Sequence, residues 1–152
     1  MSDLEEKALR QPFRFGLMLG ALALPTLWTV SQNILSLVLG KPLLSSEEVT
    51  NLFALGFLPG MILGAGALRA WVAWRAREIG SARWLLIGHS VFVALPCLLF
   101  SFLGLNDVFA QTQNMGWNSV LRQVALVFYI NFPLQVALVM LLLGLFMRAP
   151  RR

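Results

Sequence analysis

Four apolar segments follow one another along the chain, and each is long enough to cross a lipid bilayer. A membrane-spanning helix needs about 20 residues, because it rises about 1.5 Å per residue across a hydrocarbon layer about 30 Å thick. Polar and charged positions lie mostly between these segments. The pattern predicts an all-α integral membrane protein with four transmembrane helices, at about residues 15–39, 52–74, 84–105 and 124–147.

The segments between the apolar runs carry signals for where helices begin and end. Ser2 and Glu5 have the spacing of a capping box, so residues 1–12 are expected to form a cytoplasmic amphipathic segment with a short helix that Pro12 ends. Gly80 followed by Ser81 predicts a tight turn between the second and third helices. The transmembrane domain is expected over residues 13–148, and a basic cytoplasmic tail over residues 149–152.

The distribution of Lys and Arg predicts the orientation. Ten of the twelve basic residues flank one side of the predicted spans, whereas Lys41 and Arg122 flank the other. Cytoplasmic loops carry an excess of positive charge, so both termini are predicted to be cytoplasmic, in a plasma (inner) membrane. Four tryptophans fall near the predicted interfaces, as expected for aromatic belts: Trp71, Trp74, Trp84 and Trp117.

Composition supports the membrane assignment. Hydrophobic residues make up 58% of the chain and charged residues 12%, too few polar groups to cover a soluble domain of 152 residues. The basic residues behind the net charge of +5 alternate with apolar segments instead of clustering on one solvated face. We therefore expect membrane lipid as a partner, and no nucleic acid.

Each predicted span contains one proline, at Pro25, Pro59, Pro96 and Pro133. A proline inside a helix removes one backbone hydrogen bond and leaves a carbonyl that lipid cannot satisfy. The four helices are therefore expected to be kinked and packed against one another.

Glycines recur at a spacing of four residues, which places them on one helix face. Gly56, Gly60 and Gly64 do so in the second span, and Gly16 and Gly20 in the first. Small residues let lipid-embedded helices approach closely, so these positions predict a helix-packing face. The contact lies either within one chain or between subunits, and the sequence leaves both possibilities open. A hinge or pore lining is the less favoured interpretation.

Polar side chains at membrane depth form a second candidate region. Thr29, Gln32 and Asn33 lie in the outer half of the first span, and Asn131 and Gln135 lie one turn apart in the fourth. Interhelical amide hydrogen bonds contribute about 0.6–2 kcal/mol each in membranes, which favours a polar clamp between the two helices. The alternative is a cleft open to the outer side that holds a small neutral or lipid-headgroup ligand.

His89 is a weak candidate for function, because ionisable residues within membranes often have one. A neutral histidine hydrogen-bonded to Ser90 or to a freed carbonyl is the simpler expectation. One histidine cannot supply bis-histidine haem ligation, and His, Cys and carboxylates lack metal-site spacing. No metal site, cofactor or catalytic residue is predicted.

The functional prediction follows from the absence of catalytic and ion-coupling motifs in the sequence. All seven acidic residues fall outside the predicted spans, and nucleophile–base pairs and glycine-rich phosphate loops are absent. We expect a non-catalytic membrane subunit that assembles with itself or with larger membrane partners through glycine-lined helix faces. The alternative is a small oligomeric channel or carrier for a neutral or anionic solute, with a polar cleft between helices 1 and 4. An enzyme or redox subunit that uses His89 ranks third.

Overall fold

The structure, a computed structural model, describes Glu6 and residues 9–40, 46–111 and 131–148. These residues form four long or medium helices: α1 (Pro12–Leu39), α2 (Ser46–Arg75), α3 (Ile79–Gln111) and α4 (Phe132–Phe146). Three helices are long and apolar enough to cross a membrane, and α4 is a shorter apolar helix. The predicted all-helical class is confirmed for the described part of the chain, and it is compatible with a helical membrane protein.

Helix α1 begins and ends with well-defined local signals. Pro12 occupies its first turn, where the missing N–H has no helical partner to lose. Glu6, Leu9 and Arg10 are also helical, and a bend at Gln11 separates them from α1. At the other end Gly40 takes a left-handed conformation with φ of 64°, which terminates the helix.

The turn between α2 and α3 differs from its prediction. The left-handed residue is Arg77, at φ 64°, and the Glu78 N–H donates to the Ala73 carbonyl at 2.9 Å. Together with the 3.0 Å bond from Arg77 N to Trp74 O, this is a Schellman motif, which satisfies the last carbonyls of α2. The turn therefore closes before Gly80, which lies inside α3 instead of between the helices.

Three of the four prolines lie where an interior proline was predicted: Pro25, Pro59 and Pro96 are inside α1, α2 and α3. Pro133 is different, because it lies in the first turn of α4, where no interior hydrogen bond is lost. A kink of the predicted fourth span at Pro133 stays a prediction, because most of the span before this proline is not described. Residues 124–130 of the predicted fourth span lie outside the described residues.

Sequential helices pack side by side, and α2 occupies a central position because it contacts α1, α3 and, to a small extent, α4. The apolar core lies between α2, α3 and α4, and α1 is attached mainly through α2. The buried core residues are Leu63, Ala70, Ala82, Leu86, Val93, Ala94, Leu134, Ala137 and Met140.

Side chains of α2 and α3 hold the end of α4. Arg83 Nη2 donates to the Leu145 carbonyl at 2.9 Å, and Trp74 Nε1 donates to the Arg148 carbonyl at 3.0 Å. Both carbonyls lie at the C-terminal end of α4, where intrahelical partners run out and a cation is favoured. These two bonds bring the ends of three helices together.

Candidate functional site

The four glycines of α1 and α2 face one another, and we call this contact the glycine seam: Gly16 and Gly20 with Gly60 and Gly64. A Cβ atom added at Gly16 would lie 2.6 Å from the Gly64 carbonyl oxygen, and one added at Gly64 would lie 2.6 Å from the Gly20 Cα. Added Cβ atoms at Gly20 and Gly60 would each overlap the other's carbonyl oxygen. The two backbones are therefore in direct contact, with no room for a side chain at any of the four positions.

The seam joins two helices of one chain. Of the two possibilities that the sequence left open, contact within the chain is the one that these four glycines make. Gly56, one turn before Gly60 on α2, faces side chains instead, because an added Cβ atom there would lie 3.1 Å from Trp28 Cε3 and 3.5 Å from Pro25 Cγ.

Helices α1 and α4 meet at the level of the predicted polar cluster. The rings of Trp28 and Phe132 stack with centroids 6.0 Å apart and an interplanar angle of 23°. Near this stack Gln32 and Asn131 are buried, with 4% and 9% of their surfaces exposed. The two amides therefore lie at similar levels on their helices, and both are covered by protein.

The remaining members of the cluster are more exposed. Thr29 is half-buried and its hydroxyl donates to the Pro25 carbonyl at 2.9 Å, one turn earlier on the same helix. Asn33 and Gln135 are exposed. Burial thus divides the cluster into two covered amides and three side chains nearer the surface, and the choice between clamp and cleft stays a prediction.

His89 lies on α3 and packs against α2 at Gly66, where an added Cβ atom would be 2.6 Å from His89 Cβ and Cγ. Its Nδ1 is 2.8 Å from the Leu85 carbonyl oxygen, which can only accept, so Nδ1 carries the proton. In the neutral ring Nε2 is then a hydrogen-bond acceptor. Neither expected partner is used, because Ser90 makes no bond to His89 and the carbonyl that Pro96 frees is that of Phe92. The fully buried Ser90 hydroxyl has no hydrogen-bond partner among the described residues.

An open groove of about 970 Å³ lies on α2 between α1 and α3, and we call it the α1–α3 groove. Its floor is one face of α2, where residues three or four apart share a side of the helix. The floor residues are Ile62, Ala65, Arg69 and Ala73. The sequence pattern did not predict this site.

Large side chains form the walls of the α1–α3 groove. Phe13 and Leu17 project from α1, and Trp84 and Phe92 project from α3 on either side of Gly88. Trp84 is 74% exposed and Phe92 is 67% exposed. An added Cβ atom at Gly88 would have no atom within 4 Å, so the wall has a gap between the two aromatic rings.

Titratable side chains also line the α1–α3 groove, at Arg69, Glu78 and His89. The Arg69 guanidinium carbon lies 5.9 Å from the centre of the Phe13 ring, a cation–π contact across the groove. Neither Arg69 nor Glu78 forms an ion pair within the described residues. The groove thus combines apolar walls with a cation and an anion that are not paired within that part of the chain.

The floor residues of this groove have a regular helical spacing in the sequence, but that spacing alone does not indicate a groove. The spacing of residues 62, 65, 69 and 73 places them on one face, yet the same spacing is expected of any lipid-facing or buried helix surface. That α1 and α3 stand apart over this face is a tertiary property.

Comparisons with known proteins leave the site to be interpreted from its own geometry. No protein-family model, no curated protein and no solved structure matches this chain. Among the described residues, no group of three or more His, Cys, Asp and Glu side chains is placed to hold a metal ion.

Proposed function

We propose that the protein is a non-catalytic, membrane-embedded binding subunit that holds a lipid-like molecule in the α1–α3 groove. The observation that carries this proposal is the groove itself: it extends over about 16 Å from Ser81 to Phe92, estimated from the helical rise, with apolar walls and an arginine on the floor. A ligand with an alkyl chain and a charged head matches both features.

The apolar part of the ligand is expected to lie along Leu17, Ile62 and Phe92. Inside a bilayer the gain comes from closer dispersion contacts with these side chains than with neighbouring lipid chains, because no water is displaced. The head lies toward Arg69, whose guanidinium can donate two parallel hydrogen bonds to a phosphate or carboxylate. His89 also lines the groove.

Filling the gap at Gly88 tests this proposal. We expect Gly88→Trp to lower the amount of lipid that remains bound after extraction in mild detergent, measured by native mass spectrometry of the intact protein. The matched control is Leu95→Trp, two turns further along α3, which is 62% exposed and lies outside the groove lining. Equal lipid retention in both variants and the native chain would contradict a site in the groove.

Assembly with itself or with larger membrane partners, predicted from the sequence, is retained as the competing outcome of the same experiment. The glycine seam is occupied by contacts within the chain, so a partner helix would have to use another surface, and the α1–α3 groove is one with small residues on its floor. A stoichiometric protein complex without bound lipid, lost in Gly88→Trp, would favour assembly over lipid binding.

The channel or carrier alternative requires an open path between α1 and α4. Gln32 and Asn131, the amides proposed to line it, are buried near the Trp28–Phe132 stack. The described residues give that alternative no support beyond the sequence pattern.

The proposed topology has four membrane spans with both termini in the cytoplasm. The bias of basic residues supports it, since ten of twelve flank one side. A cysteine placed within residues 112–116, in a chain with Cys97→Ser, is expected to react with an impermeant thiol reagent in intact cells. Labelling of a cysteine at either terminus instead would overturn this orientation.

A further inference from the structure

We infer that the α1–α3 groove selects a phospholipid whose headgroup carries both a phosphate and a primary amine, as in phosphatidylethanolamine. This inference rests on the proposed function, because it names the ligand of the same groove. It depends on two lining residues of opposite charge, Arg69 and Glu78, neither of which is in an ion pair within the described residues.

Arg69 provides the phosphate position. Neighbouring arginines are engaged elsewhere: Arg75 lies over the Trp71 ring at 5.0 Å, and Arg83 donates to the Leu145 carbonyl. Arg69 alone among these three lines the groove, where the Phe13 ring lies against its guanidinium. A planar guanidinium matches two phosphate oxygens, whereas the alkyl chains continue along the apolar wall.

Glu78 provides the amine position. It immediately precedes α3, at the end of the groove opposite Phe92, so Arg69 lies between it and the apolar end. A phospholipid with its phosphate at Arg69 and its chains toward Phe92 therefore points the rest of its headgroup toward Glu78. An ammonium group there gains an opposite charge, whereas the glycerol hydroxyls of phosphatidylglycerol do not.

The test measures headgroup preference with the full chain. The protein is reconstituted in nanodiscs that contain equal amounts of phosphatidylethanolamine and phosphatidylglycerol, and the lipid retained on release is quantified by native mass spectrometry. The variants are Arg69→Gln, Glu78→Gln and the double variant, which keeps the net charge of the chain unchanged. Arg77→Gln is the control, because Arg77 is exposed and lies outside the groove lining.

The native chain and the Arg77→Gln control are expected to retain phosphatidylethanolamine in preference to phosphatidylglycerol. Arg69→Gln should lower retention of both lipids, by about threefold for the loss of one exposed ion pair. Glu78→Gln should lower only phosphatidylethanolamine retention and remove the preference. The double variant should show both losses.

The outcomes separate the two proposals. If Gly88→Trp expels lipid but Glu78→Gln leaves the headgroup ratio of the native chain, the groove binds lipid and the headgroup inference is wrong. A native chain that prefers phosphatidylglycerol would also overturn the inference. If Gly88→Trp expels nothing, the proposed function itself fails, and with it any selectivity assigned to the groove.

Discussion

Helix α2 presents two faces to its neighbours, and only one of them is closed by direct backbone contact. On one face Gly60 and Gly64 meet Gly16 and Gly20 of α1, backbone against backbone. The other face carries Ile62, Arg69 and Ala73, next to the buried Ala65, and forms the floor of the open α1–α3 groove. Glycines stand on both helices at the closed contact, whereas the open face carries the larger side chains of Ile62 and Arg69.

The difference comes from the opposing residues. The closed face meets glycines, so carbonyl oxygens of each helix reach the Cα atoms of the other, an approach typical of Cα–H···O contacts. The open face is bordered by Phe13 and Leu17 of α1 on one side and by Trp84 and Phe92 of α3 on the other. Whether a face of α2 is closed therefore depends on the residues that both helices bring to the contact.

The largest loss of stability is expected from a substitution that breaks the glycine seam between α1 and α2. Gly60→Leu would place its Cβ atom against the Gly20 carbonyl oxygen, a backbone atom that cannot rotate away. We expect a loss of about 3 kcal/mol or more in the free energy of unfolding, at the upper end of overpacking effects, measured as lowered thermal stability in detergent.

Gly88→Leu is the control for that experiment, because an added Cβ atom at Gly88 has no neighbour within 4 Å. It is expected to leave thermal stability nearly unchanged. Similar losses for both variants would mean that the comparison between the closed and open faces is wrong.

A smaller effect is expected when alanine replaces a glycine of α2 that faces a side chain instead of backbone. Gly56→Ala would bring a Cβ atom to 3.1 Å from the Trp28 ring, a side chain that can shift by a few tenths of an ångström, whereas Gly60→Ala meets backbone. We expect about 1 kcal/mol or less for Gly56→Ala and a clearly larger loss for Gly60→Ala, in the same thermal assay.

Trp28→Phe should relieve the crowding in Gly56→Ala, so that the double variant costs less than the sum of the two single changes. No such rescue is expected for Gly60→Ala. Rescue of Gly60→Ala by Trp28→Phe would show that the seam is limited by side chains and not by backbone contact.

The smallest expected effect concerns whether amides help to hold α1 against α4. Gln32 and Asn131 are both buried, so each amide would be costly to leave without a hydrogen bond. We expect Gln32→Leu and Asn131→Leu each to lower thermal stability in detergent. The double variant should cost about 0.6 kcal/mol less than the sum, the size of one interhelical hydrogen bond in a membrane.

A double-mutant cycle measures this coupling between the two amides. Effects of Gln32→Leu and Asn131→Leu that simply add would contradict the polar clamp. They would make the cleft open to the outer side the better interpretation of the polar cluster.

The accuracy of the predictions from sequence followed the range of the interactions involved. Helix type depends on local apolar length, so three of the helices were expected within a few residues at their apolar parts, and each extends further into polar flanks. The predicted position of the turn between α2 and α3 was wrong. The residue with the left-handed conformation is Arg77, and the glycine on which the prediction relied, Gly80, lies three residues later. Arginine rarely adopts that conformation, so no composition rule would have chosen it.

The candidate sites also combine features that the sequence shows with features that depend on how the helices pack. The glycine spacing was visible in the sequence, but the pairing of Gly16 with Gly64 and of Gly20 with Gly60 required the antiparallel register of α1 and α2. The α1–α3 groove was missed because Arg69 could be explained by its position near the predicted membrane boundary, where a long cation reaches the headgroups. Its neighbours in the groove come from three helices, far apart in the chain.

The sequence by itself determined that the chain forms apolar helices suited to a membrane, because that property depends on the composition of consecutive residues and on their distance from charges. The tertiary structure alone decided which face of α2 is closed and which stays open. The physical reason is that close packing requires the surfaces of two helices to match. A helix sequence specifies only one of those surfaces, and the arrangement of α1, α2 and α3 supplies the other.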